Sequence, residues 1–315
     1  MEYNRKLHED KKLFIDTLRA AAEHLNIKLE FVEKDYWITL VLSRLAKSKY
    51  VATSVFKGGT SLSKGYNLIE RFSTDVDIAI INNMGKTGNQ VRTIIRNIEK
   101  EITVDLRELK MDGVTSKGSM FRKSVFEYAS TDKDNMLIVE VNSFANPFPY
   151  KMLSIQSFVF YFLMQTGNEA YIEEYNLEPF EVNVLSKEQT LMEKMVSLIR
   201  CSYEENTVTG LQGKIRHFYD LYFLMKDAEC AAIIRSEGFK QQFDVILQHD
   251  REMFEEPKGW QKKLLSESPL VNDFDNIWKQ LKDKYQTELS ALAYRPIPSE
   301  AVIAKHFSEL INLIK

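Results

Sequence analysis

Asp75 and Asp77 stand one residue apart at the head of the run Asp75-Val76-Asp77-Ile78-Ala79-Ile80-Ile81. In a strand, side chains two apart share a face, so both carboxylates would point one way while Val76 and Ile78 enter the core. Upstream, Gly58-Gly59 is followed by the hydroxyl residues Thr60 and Ser61, where an apolar run gives way to helical spacing. Such a turn can direct backbone N–H groups and a helix start at a phosphate. Two carboxylates on one face, opposite a phosphate cradle, make a magnesium site. The plain alternative is an ordinary strand-to-helix turn followed by two solvated strand-end aspartates. Either half alone favours that alternative; both at this spacing favour the site.

Other phosphate and metal motifs fail on their own rules. A Walker A loop needs G-x-x-x-x-G-K-[ST], but Lys64 stands five residues past Gly59 and Gly65 is followed by Tyr66. No G-x-G-x-x-G is present. An EF-hand would need an oxygen ligand at Ala79 and a glycine at Ile80.

Periodicity supplies the elements that must position these residues. Helices are expected over 7–26, with Leu13, Phe14, Leu18, Ala21 and Leu25 on one face, and over 29–47, with Trp37, Val41, Leu42 and Leu45. Glu33, Lys34 and Asp35 fall near the start of the second, where Lys34 or Asp35 is expected to buttress the motif loop. A strand from Tyr50 to Phe56 delivers the chain to Gly58, and a short helix follows from Thr60 to Ile69. Arg71 either pins the loop or neutralises phosphate charge. Ser73 either shares the face of Asp75 or merely starts its strand. A turn-rich connection over 82–88 leads to a helix over 89–109, then to strands over 121–129 and 136–144. In the second strand Leu137, Val139 and Val141 face one way and Ile138, Glu140 and Asn142 the other. A glutamate there must be paired, metal-bound or at a wet edge, because burying it bare is prohibitive.

Asn146-Pro147-Phe148-Pro149 marks the expected boundary between an N-terminal half, 1–150, and a mainly helical remainder, 151–315. Helices are expected over 154–165, 187–200, 214–226, 239–254, 271–285 and 299–314, with a strand over 180–184. On the helix over 187–200, apolar residues cover most of the circumference and leave Thr190, Lys194, Ser197 and Cys201 as a narrow polar stripe. Lys194 therefore sits where a solvated lysine is not expected, and it either snorkels, pairs with a glutamate or serves a ligand. Arg216 and Asp220, four apart, predict by themselves a helix-surface pair.

The pattern Gly58-Gly59-Thr60-x-Leu62, then Arg71 and Ser73, then Asp75-x-Asp77, resembles the signature of the AbiEii/AbiGii-type toxin nucleotidyltransferases, within the DNA polymerase beta-like nucleotidyltransferase superfamily. Glu33-Lys34-Asp35-Tyr36-Trp37, Glu193-Lys194 and Arg216-His217-Phe218-Tyr219-Asp220-Leu221 match in order, over residues 30 to 226. The family often carries an aspartate where His217 stands, which leaves Asp220 as the only carboxylate of that motif. The resemblance implies an α+β fold: a nucleotidyltransferase-type mixed sheet flanked by helices, with a mainly helical C-terminal part completing the nucleotide site. It implies Glu140 as a third carboxylate beside Asp75 and Asp77, together holding two Mg2+ ions. An acceptor hydroxyl would attack the α-phosphate of an NTP and expel pyrophosphate. Gly58, Gly59, Thr60, Ser61, Arg71 and Lys194 would hold the nucleotide, and Asp220 would orient Lys194 or contact the nucleotide. It further implies a toxin with a separate antitoxin and an RNA acceptor, for some relatives the 3′ end of tRNA. Transfer to a protein or small-molecule hydroxyl, and a catalytically silent nucleotide-binding module, remain as alternatives.

Bulk properties narrow the classes without choosing among them. With 44% hydrophobic and 28% charged residues over 315 positions, the chain can bury one large or two modest domains. A net charge of −3 gives no global footprint for nucleic acid, so any RNA contact must be a local basic surface. Cys201 and Cys230 form no C-x-x-C, which suggests neither a disulfide framework nor zinc. The start, Met1 to Lys6, lacks a signal peptide's apolar core, and the apolar window from Phe158 to Met164 is too short to span a bilayer. A reduced, cytoplasmic setting with no membrane partner is the expectation.

Overall fold

A computed structural model describes residues 5–73, 75–81, 86–130 and 135–315. The chain divides into two compact units, residues 1–67 with 72–185, and residues 68–71 with 186–315. The expected turn at 82–88 lies partly outside the described residues, at 82–85, as do residues 1–4.

The first unit begins with helices α1 (Lys11–Leu25) and α2 (Leu29–Lys47). Strand β1 (Ser54–Lys57) then runs directly into helix α3 (Gly58–Lys64). Strand β2 (Asp75–Ile80), helix α4 (Gly88–Ile102) and strands β3 (Arg107–Leu109), β4 (Ser116–Lys117), β5 (Phe121–Glu127), β6 (Met136–Asn142) and β7 (Tyr150–Ile155) follow. Helices α5 (Phe158–Gln165) and α6 (Ala170–Tyr175) precede the last strand, β8 (Phe180–Leu185). Among the described residues these strands form one mixed sheet, ordered β3-β5-β6-β2-β1-β8-β7, with β4 beside β5. Val76, Ile78, Leu137, Val139 and Val141 are fully buried, the outcome of two-residue alternation on strands covered on that face. Helix α2 packs on β6 and β8, and α4 on β5 and β6.

Several boundaries differ from the sequence expectation, three of them with consequences for the site or the division of the chain. The motif helix stops at Lys64 rather than Ile69, because Gly65 follows and Asn67 is left-handed at φ 50°. Helix α4 stops at Ile102, short of 109; Asp105 is left-handed at φ 67° and Arg107–Leu109 joins the sheet beside β5. The sheet also continues past the prolines near 150, since β7 pairs with β8 and β8 with β1. The division into units consequently falls after Leu185.

The second unit is helical: α7 (Lys187–Ser202), α8 (Thr207–Gln212), α9 (Ile215–Lys226), α10 (Ala228–Ile234), α11 (Phe239–Met253), α12 (Pro269–Asn272), α13 (Phe274–Leu292) and α14 (Glu300–Asn312). Its core is aromatic, with Phe307 4.7 Å from Phe218 and 4.6 Å from Phe274 between ring centroids. Residues 68–71 are bound into this unit by backbone: the Tyr294 N–H donates to the Glu70 carbonyl at 3.1 Å, and Arg71 bridges to Ala293. Among the described residues no helix is long and apolar enough to cross a membrane.

Candidate active site

In the first unit, strand pairing sets four charged residues in a row. Lys57 on β1 is opposite Asp77 on β2, Asp77 is opposite Glu140 on β6, and Glu140 is opposite Lys123 on β5. Directly paired residues share a sheet face, so two carboxylates lie side by side between two lysines. Asp75, two residues before Asp77, joins the same face. Burial first, then Glu140 and then Asp75 push the Asp77 carboxyl up to about 7, against the pull of Lys57 and Lys123. Glu140 also accepts from Asn142 Nδ2 at 3.2 Å and lies 3.8 Å from Lys123 Nζ. Glu140 thus neighbours the aspartate pair and forms a cross-strand ion pair with Lys123. Among the described residues, no three His, Cys, Asp or Glu side chains converge closely enough to enclose a metal ion by themselves.

The Gly-Gly turn is fitted to this row. Gly58 adopts φ +80°, and a Cβ built on it would stand 2.2 Å from Asp77 Oδ2, so a side chain there would strike the carboxylate. Thr60 Oγ1 donates to the carbonyl of Asp75, and Ser61 Oγ donates to that of Gly58 at 2.9 Å. The Thr60 hydroxyl holds the turn against the aspartate strand, and the Ser61 hydroxyl closes the turn on itself. At the other end of α3, Lys64 Nζ pairs with Asp35 Oδ1 and donates to the Gln156 carbonyl at 3.0 Å, while Asp35 Oδ2 accepts from the Phe158 N–H at 2.8 Å. Asp35 supplies the buttress; Lys34 makes no such bond.

The second unit gathers Arg71, Lys194 and Asp220. Arg71 grips Asp220 through Nε and Nη2 at 2.7 and 2.6 Å, and Lys194 Nζ reaches Asp220 Oδ2 at 2.8 Å. All three are buried. Burial alone would raise Asp220, but Arg71 and then Lys194 hold it below its usual value. Lys194 is lowered by burial, with Asp220 opposing and Arg71 reinforcing the shift. The Arg216–Asp220 pair expected from helical spacing does not form; Arg216 lies 3.5 Å from Glu288, because Asp220 points into the core and Arg216 outward. His217 is held neutral by burial and by Lys194, Lys214, Arg71 and Arg216, and its buried Nδ1 has no hydrogen-bond partner among the described residues.

A model of the nucleotidyl transferase AbiEii toxin family, described as a type IV toxin–antitoxin system, matches residues 40–308. The chain belongs to that family. It is therefore a nucleotidyltransferase toxin, and membership implies a nucleotide substrate and an antitoxin. AbiEii-type and related nucleotidyltransferases generally use divalent metal. The fold is similar to that of MenT4, a nucleotidyltransferase toxin from Mycobacterium tuberculosis, at 15% identity over 93% of this chain and 89% of that one, with a TM-score of 0.57. JHP933 from Helicobacter pylori matches at 16% identity over 90% and 91% of the two chains, with a TM-score of 0.47. A search of curated proteins found no match.

Lys57 and Lys123 went unread in the sequence. Lys57 could have been found, since it immediately precedes Gly58 on the strand that leads there. Lys123 required the register of β5 against β6.

Proposed function

We propose that this AbiEii-family chain is a magnesium-dependent enzyme that transfers a nucleoside monophosphate from an NTP to an RNA hydroxyl, at the 3′ end of tRNA, in the cytoplasm. The row Lys57, Asp77, Glu140, Lys123 carries the reading, because adjacent carboxylates facing a Gly-Gly turn are costly unless a cation joins them. An all-oxygen donor set suits a hard cation. Magnesium keeps one or two carboxylates and takes its remaining ligands from phosphate and water.

Asp75, Asp77 and Glu140 would hold two ions. When bound, magnesium supplies charge neutralisation at the reacting phosphate and activation of the acceptor hydroxyl. The chain's own residues position and exclude. Gly58 leaves room for the Asp77 carboxylate, Thr60 fixes the turn to the aspartate strand, and the Gly58, Gly59 and Ser61 backbone lines the phosphate cradle. In the second unit two cations face one carboxylate, so Arg71 and Lys194 keep an excess positive charge suited to nucleotide phosphate, with Asp220 orienting both. No side-chain nucleophile is needed, because phosphoryl chemistry of this kind rests on positioning and charge.

The test is incubation of purified protein with total bacterial RNA, magnesium and each α-labelled NTP in turn, beside Asp77→Ala. Label entering a tRNA-sized band only with the unaltered protein is the expected result. Label in another RNA would overturn the tRNA assignment. Label in protein or a small molecule instead would overturn the RNA acceptor, and turnover by Asp77→Ala would overturn the metal site.

A further inference from the structure

Two neighbouring segments of the first unit carry exposed charge of one sign. Helix α4 presents Arg92, Arg96 and Lys100 to solvent, and Lys86 is exposed just before its start. At intervals of four, the three helix cations form one stripe, about 6 Å apart along the axis, on the side away from the buried Val91, Ile95, Ile98 and Ile102. Residues 44–53 run beside this helix. The Arg44 guanidinium donates to the Ile102 and Val104 carbonyls at its end, and Tyr50 and Thr53 line one small cavity with Lys86, Val91 and Ile94 at its start. This second segment adds Lys47 and Lys49, both exposed. Across 44–53 and 86–100 the one carboxylate is Glu99, which is buried and bonded to Arg122 and Ser124. Glu101 follows the stripe, and Asp105 beyond it lies 3.4 Å from Arg44.

Folding does not call for this arrangement. Like charges four apart on a helix are destabilising, and among the described residues Lys47, Lys86, Arg92, Arg96 and Lys100 have no ion pair. The chain as a whole carries −3, so the positive charge is local. Helix α13, by contrast, mixes its signs, exposing Asp275, Lys279, Lys282, Asp283 and Lys284. The exposed residues between the α4 cations are polar: Asn89, Gln90, Thr93 and Asn97. A protein interface centres on aromatic or aliphatic anchors, whereas a phosphate backbone is met by Arg and Lys with Asn, Gln and Thr beside them. The bond from Ser124, which is paired with Val139, to Glu99 sets α4 on the apolar face of the sheet, opposite Asp77 and Glu140. A nucleotide at the carboxylates is separated from the stripe by the sheet; a folded RNA is large enough to reach both.

We propose that Lys47, Lys49, Lys86, Arg92, Arg96 and Lys100 form a docking surface for the phosphate backbone of the acceptor RNA, away from its reacting end. The proposal rests on the reading of RNA as the acceptor.

The experiment is equilibrium binding of the full chain to labelled bacterial tRNA over a series of salt concentrations, with melting temperature, nucleotide affinity and steady-state rates alongside. Three proteins are compared: the unaltered chain, the combined Arg92→Gln, Arg96→Gln and Lys100→Gln variant, and a control with Lys279→Gln, Lys282→Gln and Lys305→Gln that removes the same charge from the second unit. The α4 variant should melt no lower than the parent, since like-charge repulsion is relieved, and should bind triphosphates as before. It should lose about ten- to a hundredfold in RNA affinity at low salt, and its plot of log affinity against log salt should be shallower by about 2. KM for RNA should rise while kcat stays within about threefold. The control should bind RNA within about twofold of the parent. An equal loss in the control would reduce the effect to net charge and overturn the surface. Unchanged affinity and salt slope in the α4 variant would overturn RNA docking and leave this face to an acidic protein. An unaltered chain that binds no tRNA and labels some other acceptor would remove the RNA reading itself and this proposal with it.

Discussion

Asp77 and Glu140 face each other across the parallel pair β2–β6, two like charges side by side with Lys57 and Lys123 on the outer flanks. Nothing in folding favours that juxtaposition, since like charges directly opposite are destabilising. Asp77→Asn should therefore melt at the same temperature as the parent or higher while losing at least about a thousandfold in turnover. Asp75→Asn should lose activity comparably. Paired melting curves and single-turnover rates decide it; a clear drop in melting temperature would make Asp77 a structural carboxylate.

Gly58 permits the approach of the turn to Asp77, so Gly58→Ala is a steric test of the site. Its φ of +80° strains any side chain, and the added Cβ would push on Asp77 Oδ2. We expect about 1–3 kcal/mol of lost stability, with activity reduced well beyond the share of protein unfolded. Activity that simply tracks the folded fraction would contradict the fit between turn and carboxylate.

Asp220 neutralises two buried cations in the second unit. Asp220→Asn leaves Arg71 and Lys194 uncompensated and should cost about 3–5 kcal/mol. Lys194→Met keeps the bidentate Arg71–Asp220 pair and should cost less, while raising KM for nucleotide. Urea titration of the two variants orders them, and equal stabilities would mean that Asp220 is not the hub.

The same group sets an acid limit on stability. Because Asp220 is held below its unfolded value in the folded chain, its contribution is fully present above about pH 4 and declines as pH falls through the folded-state value. The stability gap between parent and Asp220→Asn should hold from neutral pH down to about pH 4 and shrink below it. A gap that widened on acidification would reverse the sign and refute the assignment.

Local pattern was enough for the sequence to determine the strands that carry the candidate site. Alternation around Asp75-Val76-Asp77 and Leu137 to Asn142 fixed which residues face the core, because the side-chain period of a strand is a property of the backbone. Gly58-Gly59 and the family signature likewise lie within a few residues of one another. The tertiary structure alone decided what crosses between distant segments. That Lys57 and Lys123 flank the carboxylates follows from strand register. That Arg71 takes Asp220 from Arg216 depends on a four-residue segment folding with the C-terminal helices. Helical spacing names the nearest available partner, whereas a buried carboxylate takes the cations that the fold encloses with it, 149 residues away in the case of Arg71.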